Sequence, residues 1–558
     1  MRRGAGRLVH GLKRRVKPHV LDILDRLHVP HGFSRTPAIF DSLSALSRPL
    51  QNEPEGPEVL VLSFRGAWLL HGTWEALIAE ALRRRGARPT LFVCSGGLPE
   101  ALPGKAPACG ISSSQMPGPS CADCLDCALS TASSLHLPVL RLDDFVDRSR
   151  ARELMARVDA SGPEDLRALE HRGLPVGSYV LNSARWFLCV SDLEAVPEGE
   201  AVLRAFAKSA VILAEAAPAL LDRVRPEAVF LLNGLFFAER IVKTEAERRG
   251  VRVVSYERGF MPDTLCVSEG VPGYYDIGPL WERVRERPLE PHQEQRIDDY
   301  MADRRKGRRA PFNYWPTITE DEREILSSLQ LSPDRPIAAL FTNITWDSAA
   351  QDRDRAFPDM FGWILESIQA FASRPHAQLV VRIHPAEVRV PGWQTQDPLG
   401  PKLRSTFPRL PDNVRVVPPD SAVSSYSLMN LSRCGLVYTS TAGLEMAVDG
   451  MPVVVAGVVH YGGRGFTLDP STPEEYAQAI DHALETGRDP AVSERARRYA
   501  HALFFRYFHP FPIVSENPPD FVPSLRASDP SALDPGHDPT LDRICDGILY
   551  GGDLYGPG

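Results

Sequence analysis

Short apolar runs alternate with longer amphipathic stretches along almost the whole chain, and this alternation restricts the fold more than any other feature. The apolar centre of "EVLVLSF" (58–64) shows no polar residue at period two, which suits a strand buried on both faces. "TWEALIAEALRRRG" follows with apolar residues at helical spacing and stops at Gly86, and "PTLFVCS" supplies the next strand. Further on come "LPVLRL", a long helical region over about 198–224, "EAVFLLNG", the helix "AERIVKTEAERRG" and "VRVVSYERG". The same grammar restarts with "PIAALFTN" and runs through "MFGWILESIQAFA", "AQLVVRIHP", "NVRVVPP", "SYSLMNLSR", "CGLVYTS", "GLEMAVDG", "MPVVVAG" and the helix "TPEEYAQAIDHALETG". Strands alternating with helices of roughly 10–15 residues predict doubly wound parallel sheets. A chain of 558 residues is long enough to bury two such cores.

The reading is therefore an α/β chain of two Rossmann-like domains facing a central cleft. Residues 1–50 form a basic arm and lead-in, 51–276 the first domain with a Cys-rich loop at 109–127, and 277–320 a charged, Pro-rich connection. The second domain spans 321–490. A helical segment over 491–515 is expected to pack back, and the Pro-, Asp- and Gly-rich tail from 516 to 558 to be loosely ordered.

Open α/β sheets bind ligands beyond the carboxyl ends of their strands. Polar outliers collect there in this sequence: Asn233-Gly234, Glu257-Arg258-Gly259, Asn343 to Asp347, His384-Pro385 and Ser440-Thr441. Helix capping alone does not require so many. In "VYTSTAGLEMAVDGMPVVVAG" (437–457) a strand ends in hydroxyl residues where a helix begins. Unpaired N–H groups and the macrodipole make such a point attractive to an anion, and Ser440, Thr441 and Gly443 would let a phosphate approach the backbone. An ordinary Ser/Thr cap accounts for the same letters.

A net charge of −8 and a pI near 6.0 argue against a general nucleic-acid binder. No stretch approaches the ~18 unbroken apolar residues that span a bilayer. "MRRGAGRLVHGLKRRVKPHV" has no Asp or Glu and places Leu8, Val9, Leu12 and Val16 for one helix face, so it suits an anionic membrane surface or a solvated basic tail. The aromatic stretch "HALFFRYFHPFP" (501–512) offers either a headgroup-boundary contact or a helix packing back on the first domain. Nine cysteines are too few for a disulfide scaffold, but Cys109, Cys121, Cys124 and Cys127 cluster in one loop. C-x2-C-x2-C with an upstream Cys is compatible with Zn²⁺ or an iron–sulfur cluster, and equally with a Ser/Pro/Gly-rich loop of reduced thiols.

Four segments together carry a resemblance: "YERGFMPDTLCVSEGV" (256–271), "VVRIHPAE" (380–387), "SSYSLMNLS" (424–432) and "YTSTAGLEMAVDGMPVVVAG". In this order and spacing the chain resembles the bacterial capsule polysaccharide biosynthesis proteins, a broad family that includes the Kdo transferases starting capsule chains on lipid. The match covers roughly 225–470. It implies a GT-B-like glycosyltransferase with a nucleotide-sugar donor, CMP- or UDP-linked, and a glycan or lipid-linked glycan acceptor. By the same resemblance, His384-Pro385 contacts the donor nucleotide near its phosphate. Ser440 and Thr441 are the hydroxyl pair at the phosphate-binding helix. Glu445 holds a ribose or sugar hydroxyl, and Glu257 is the acid of the E-x-G-[FY] segment on the first domain's side of the cleft.

Sugar transfer needs stabilisation of leaving phosphate charge, which a helix N-terminus and a His donor can supply. It also needs a carboxylate as base or nucleophile, and Glu257 and Asp347 are candidates because they follow predicted strands of opposite halves. Arg382 and Arg464 are candidates for pairing with donor phosphate or a sugar carboxylate. "LDD" (142–144) reads as a cap rather than a metal-binding acidic pair, so no obligatory Mg²⁺ or Mn²⁺ is expected at the donor. The expected setting is cytoplasmic, peripheral on the inner membrane face. Two competing readings are a sugar-nucleotide epimerase or hydrolase of the same architecture, and a non-catalytic binding protein organised around the cysteines.

Overall fold

Two sheets organise the computed structural model, which describes residues 36–48, 54–116, 118–306, 318–518 and 521–557. The first contains β1 (Glu58–Leu62), β2 (Arg88–Val93), β3 (Val139–Arg141), β4 (Ala228–Leu232), β5 (Arg252–Arg258), β6 (Thr264–Ser268) and β12 (Phe508–Pro510). The second contains β7 (Ile337–Phe341), β8 (Gln378–Arg382), β9 (Val414–Val417), β10 (Cys434–Val437) and β11 (Val453–Val455). Their orders are β12-β6-β5-β4-β1-β2-β3 and β11-β10-β7-β8-β9. All pairs are parallel except those made by β6, which runs antiparallel to both β5 and β12. The fold is thus mixed α/β with two doubly wound, Rossmann-like halves. In each the chain begins at a central strand, walks to one edge and returns to the centre. That reversal opens a crevice between β1 and β4, and another between β7 and β10.

Helices cover both faces of the first sheet, which is why β1 and β4 carry apolar residues at every position but Glu58. Leu69–Arg84 buries Trp74, Leu77 and Ile78 on one face, and the long helix Gly199–Val224 buries Phe206, Val211 and Leu213 on the other. The tail expected to be loose differs. Asp538 caps a helix, Pro539–Tyr550, by accepting from the amides of Thr540 and Leu541 at 2.8 and 2.9 Å. Leu541, Ile544 and Ile548 then enter the core beneath the first sheet, each stabilising the docking by about 1.5–3 kcal/mol. Apolar spacing outweighs composition here.

The chain also returns to the first half before that helix. Pro490–Ala502 packs on the second half, widens into a π turn at Leu503–Tyr507, and delivers β12 to the edge of the first sheet. Phe504, Tyr507, Phe508 and Phe511 are buried in this crossing, so the aromatic stretch faces protein and not a headgroup boundary. The basic arm lies outside the described residues. Among those described, no helix is long and apolar enough to cross a membrane.

A second bridge between the halves is made by the segment after β8. Trp393 packs on Trp186 at 4.3 Å between ring centroids, Gln396 Nε2 donates to the Leu188 carbonyl at 2.6 Å, and Asp397 accepts from the Ser191 hydroxyl at 2.5 Å.

Candidate functional site

Three adjacent strands of the second sheet end in a connected set of polar side chains. The His384 amide donates to Thr342 Oγ1 at 3.0 Å, linking the ends of β8 and β7. Asn343 Nδ2 donates to Thr439 Oγ1 at 3.2 Å, linking β7 and β10 across the point where the strand order reverses. The Ala386 amide donates to His384 Nδ1 at 3.2 Å, so Nδ1 is the acceptor and the ring proton sits on Nε2. Burial, and after it the Arg382 charge, push this imidazole down to about 4. Above that pH His384 is a neutral N–H donor.

Across from this edge, β5 ends in Glu257. Asn233 Nδ2 and the Arg258 amide donate to its two carboxylate oxygens, each at 2.8 Å. Burial raises the Glu257 carboxyl from its ordinary range, those two donors oppose the rise, and the charge of Asp347 adds to it. Burial also raises Asp347, whose Oδ1 accepts from the Ala349 amide at 2.9 Å. The charge of Asp347, a carboxyl of the opposite half, therefore reaches Glu257 across the cleft. The 272–275 turn lies beside them: a Cβ on Gly273 would stand 4.0 Å from Glu257 Oε2 and 3.8 Å from the Ala349 methyl.

Sequence reasoning missed two members of this wall. Arg353 stacks its guanidinium on Tyr274 at 3.5 Å, and His460 sets its ring edge-on to Tyr275 at 5.5 Å. His460 is pushed down to about 3 by burial, then by Arg353 and Arg464. Arg464, which was foreseen, reaches Asp276 at 3.6 Å on the same wall. The available signal was "HYGGRGF" after β11, a glycine-rich turn with a basic residue next to a strand end.

Other expected site residues are occupied elsewhere. Arg382 is buried and spends its guanidinium on the carbonyls of Pro418 and Ser421 at 2.6 and 3.3 Å, so it holds a loop rather than a phosphate. Glu445 is buried against Arg304, Nη2 to Oε1 2.7 Å, with Tyr426 also bonded to it, so its carboxylate faces inward rather than toward a sugar hydroxyl. Gly443 is needed for packing: a Cβ there would lie 2.2 Å from the Tyr461 hydroxyl. Ser440 Oγ accepts from the Ala442 amide at 3.3 Å as a local cap, while Thr441 makes no side-chain cap bond. Pro385 opens the single turn Ala386–Arg389, which folds back so that the Glu387 amide donates to the His384 carbonyl at 3.1 Å.

The corresponding crevice of the first sheet is closed from within. Arg65, following β1, forms a two-pronged ion pair with Glu239, Nη2 to Oε2 being 3.0 Å, and both side chains are buried. Arg65 is flanked by Trp68 and Phe236 at 5.1 and 4.9 Å. Beside it the Tyr256 hydroxyl donates to Glu75 at 2.7 Å and contacts His71 Nδ1 at 3.3 Å.

All nine cysteines are free thiols. The four expected to act together are divided: Cys109, Cys121 and Cys124 line one enclosed pocket with Cys94, whereas Cys127 is outside it, further along the helix Cys121–Ser134. Among the described residues, no group of three or more His, Cys, Asp or Glu side chains converges to hold a metal ion.

No family model and no curated protein matches the chain. Among solved structures it is similar to the KpsC beta Kdo 2,4 transferase of Thermosulfurimonas dismutans, at 17% identity over 55% of this chain and 87% of that one, with a TM-score of 0.33. The beta Kdo 2,7 transferase of the same KpsC matches at 18% identity over 48% and 80%, TM-score 0.29. The UDP-GlcNAc 2-epimerase of Neisseria meningitidis, solved with UDP-GlcNAc, matches at 10% identity over 79% and 94%, TM-score 0.25. Overlap at these scores is too slight to assign an activity.

Proposed function

We propose that the chain is a glycosyltransferase that moves a sugar from a nucleotide-sugar donor, held by the second half, to a glycan or glycoconjugate acceptor entering beside the first. The observation that carries this reading is that Glu257 and Asp347, carboxyls of opposite halves, are both raised from their ordinary range by burial, with the Asp347 charge adding to the rise at Glu257. One carboxylate takes the acceptor hydroxyl proton while the acceptor oxygen bonds to the anomeric carbon and the bond from that carbon to the donor phosphate breaks. Neutral His384 donates from Nε2 to the departing phosphate, and the hydroxyls of Ser440 and Thr441 supply further donors to the same charge. Charge stabilisation of this kind supports transfer without an obligatory Mg²⁺ or Mn²⁺ at the donor. CMP- and UDP-sugars are the proposed donors, a lipid-linked surface glycan is the proposed acceptor, and the cytoplasmic membrane face is the proposed place of work.

The test is a thermal-shift screen of the full chain with CMP, UDP, GDP and dTDP, followed by incubation of the stabilising nucleotide's sugars with and without acceptor glycans. A ligand that binds the native state alone at 100 times its Kd adds about 2.7 kcal/mol of stability. Acceptor-dependent nucleotide release is the expected result. An epimerised sugar nucleotide accumulating without acceptor overturns it.

A further inference from the structure

Glu257 is held by a neighbour whose own direction is fixed. Asn233 follows β4, which lies next to β5 in the sheet, and it is buried. Its Oδ1 accepts from the Leu235 amide at 2.8 Å, the local turn that Asn makes with the backbone two residues on. That bond identifies the amide oxygen and leaves Nδ2 to donate to Glu257 Oε2 at 2.8 Å. The other carboxylate oxygen, Oε1, accepts from the Arg258 amide at 2.8 Å. Rotation of the carboxyl therefore breaks two bonds. Burial raises this carboxyl, and the Asn233 bond comes first among the groups that lower it again.

The turn after β6 meets the same oxygen. Gly273 lies in the short turn Pro272–Tyr274, and a Cβ there would stand 3.7 Å from Leu235 Cδ1, 3.8 Å from the Ala349 methyl and 4.0 Å from Glu257 Oε2. Those are ordinary contact distances, so a methyl fits. Nor does Gly273 adopt a positive φ. Neither crowding nor conformation requires a glycine at 273. Gly443 and Gly259 differ: a Cβ on them would run into the Tyr461 and Thr264 hydroxyls. The space above Gly273 is bounded by both halves, because Ala349 lies two residues past Asp347 while Leu235 and Glu257 belong to the first half. The turn is pinned on either side of it. The Tyr507 hydroxyl donates to the Pro272 carbonyl at 3.0 Å, and the Arg353 guanidinium stacks on Tyr274 at 3.5 Å.

We infer that Glu257 Oε2 is the oxygen that takes the acceptor's proton, that Asn233 is the positioning residue that aims it, and that Gly273 determines specificity by leaving room for the acceptor hydroxyl. This rests on the reading of Glu257 as the base. The acceptor O–H, lying over Gly273, gives its proton to Oε2. Its oxygen bonds to the anomeric carbon, and the donor phosphate departs with the electron pair of the broken bond. A methyl at 273 occupies the place of that hydroxyl without disturbing the wall around it.

The experiment uses the full chain with the sugar nucleotide and acceptor glycan that give acceptor-dependent nucleotide release in the screen above. G273A should keep its nucleotide affinity and show a Tm equal to or above that of the wild type, since alanine restricts the unfolded chain. Its kcat/KM for the acceptor should fall by about ten- to a hundred-fold. N233D keeps the turn onto the Leu235 amide but replaces the donor with a second carboxylate. The ascending limb of its pH–rate profile should move up by about one pH unit or more, a change that a merely structural role does not produce. Infrared titration of the carboxyl, read as the difference between each chain and its E257Q counterpart, needs no substrate and should move the same way. Wild-type transfer in E257Q, or no acceptor-dependent release by the wild type, overturns the reading and this inference together. Lost transfer in E257Q beside wild-type transfer in G273A, or beside an unmoved limb and carboxyl midpoint in N233D, overturns the inference alone.

Discussion

The two halves share one order of five parallel strands and use it differently. In the first, the crevice between β1 and β4 is filled by the protein's own charges, Arg65 on Glu239 and Tyr256 on Glu75, sealed under Trp68 and Phe236. In the second, the crevice between β7 and β10 and the adjacent end of β8 hold neutral, hydrogen-bonding groups: Asn343, Thr439, and His384 with its proton on Nε2. A buried ion pair already satisfies its partners and has little left for a ligand, whereas a row of neutral donors can exchange water for phosphate at small cost. The same topology thus provides a rigid wall on one side and a receptive edge on the other. Glu257, at the end of β5, is the first half's contribution to the proposed chemistry.

The variant that breaks this division most strongly is Glu257→Gln. It keeps the bond from Asn233 and removes the base, so transfer should fall by about 10²–10⁴-fold while nucleotide affinity, a property of the other half, stays at the wild-type value. Steady-state kinetics beside calorimetric titration of nucleotide checks both. A matching loss of nucleotide affinity would place the donor on the wrong half.

Next in size is the wall itself. Arg65→Ala leaves Glu239 buried without its partner, and removing one member of a buried pair costs about 3–5 kcal/mol. Chemical denaturation should register that loss. If nucleotide still binds the folded fraction with unchanged affinity, the wall is structural, as the comparison requires.

Much of this was legible in the sequence. Apolar runs of four or five residues separated by helical spacing placed the parallel strands of both sheets, since a strand buried on both faces has little room for polar residues. The rule of ligands at strand ends picked out Glu257, Asp347 and His384 for the proposed site. It failed where the direction of a side chain decides the role. Arg382 is the last residue of β8 and points into the sheet's covering layer, and Glu445 points to a helix from the interdomain connection that no local pattern brings to it. That Cys94 shares a pocket with Cys109, Cys121 and Cys124 was hidden because those neighbours come together only when the loop and the helix behind it close over β2. The tail helix did carry its signals, Asp538 before Pro539 and Gly551 after Tyr550, but a Pro/Asp/Gly-rich composition masked them.

A smaller effect sharpens the receptive side of the comparison. His384→Ala removes one neutral donor to a charged phosphate and should weaken nucleotide binding by about ten- to a hundred-fold, with little change in stability. Titration between pH 5.5 and 8 should show no step from this residue in the wild type, because the ring is pushed down to about 4 and is neutral throughout. Unchanged affinity in the folded variant would remove His384 from the donor site.

The smallest net effect is on the closed side, in the pH dependence of stability, because two buried groups of one cluster pull in opposite directions. Burial pushes Glu75 up to about 8, above its unfolded value near 4.5, so the native state holds a proton that the unfolded state has released. Native protein therefore binds more protons between those values, and this contribution falls as pH rises from about 4.5 to about 8. His71 is pushed down to about 3 from 6.5, so the unfolded state binds more protons there and stability falls as pH drops from 6.5 toward 3. The two slopes oppose each other between 4.5 and 6.5, and above 6.5 only that of Glu75 remains. Glu75→Gln keeps a hydrogen-bonding partner for Tyr256 and removes the titration. The wild-type Tm, measured against that of the variant, should therefore decline steadily from pH 5 to 8. A difference that stays flat across the range would mean Glu75 is ionised in the native wall, and that the first half's crevice is open to water after all.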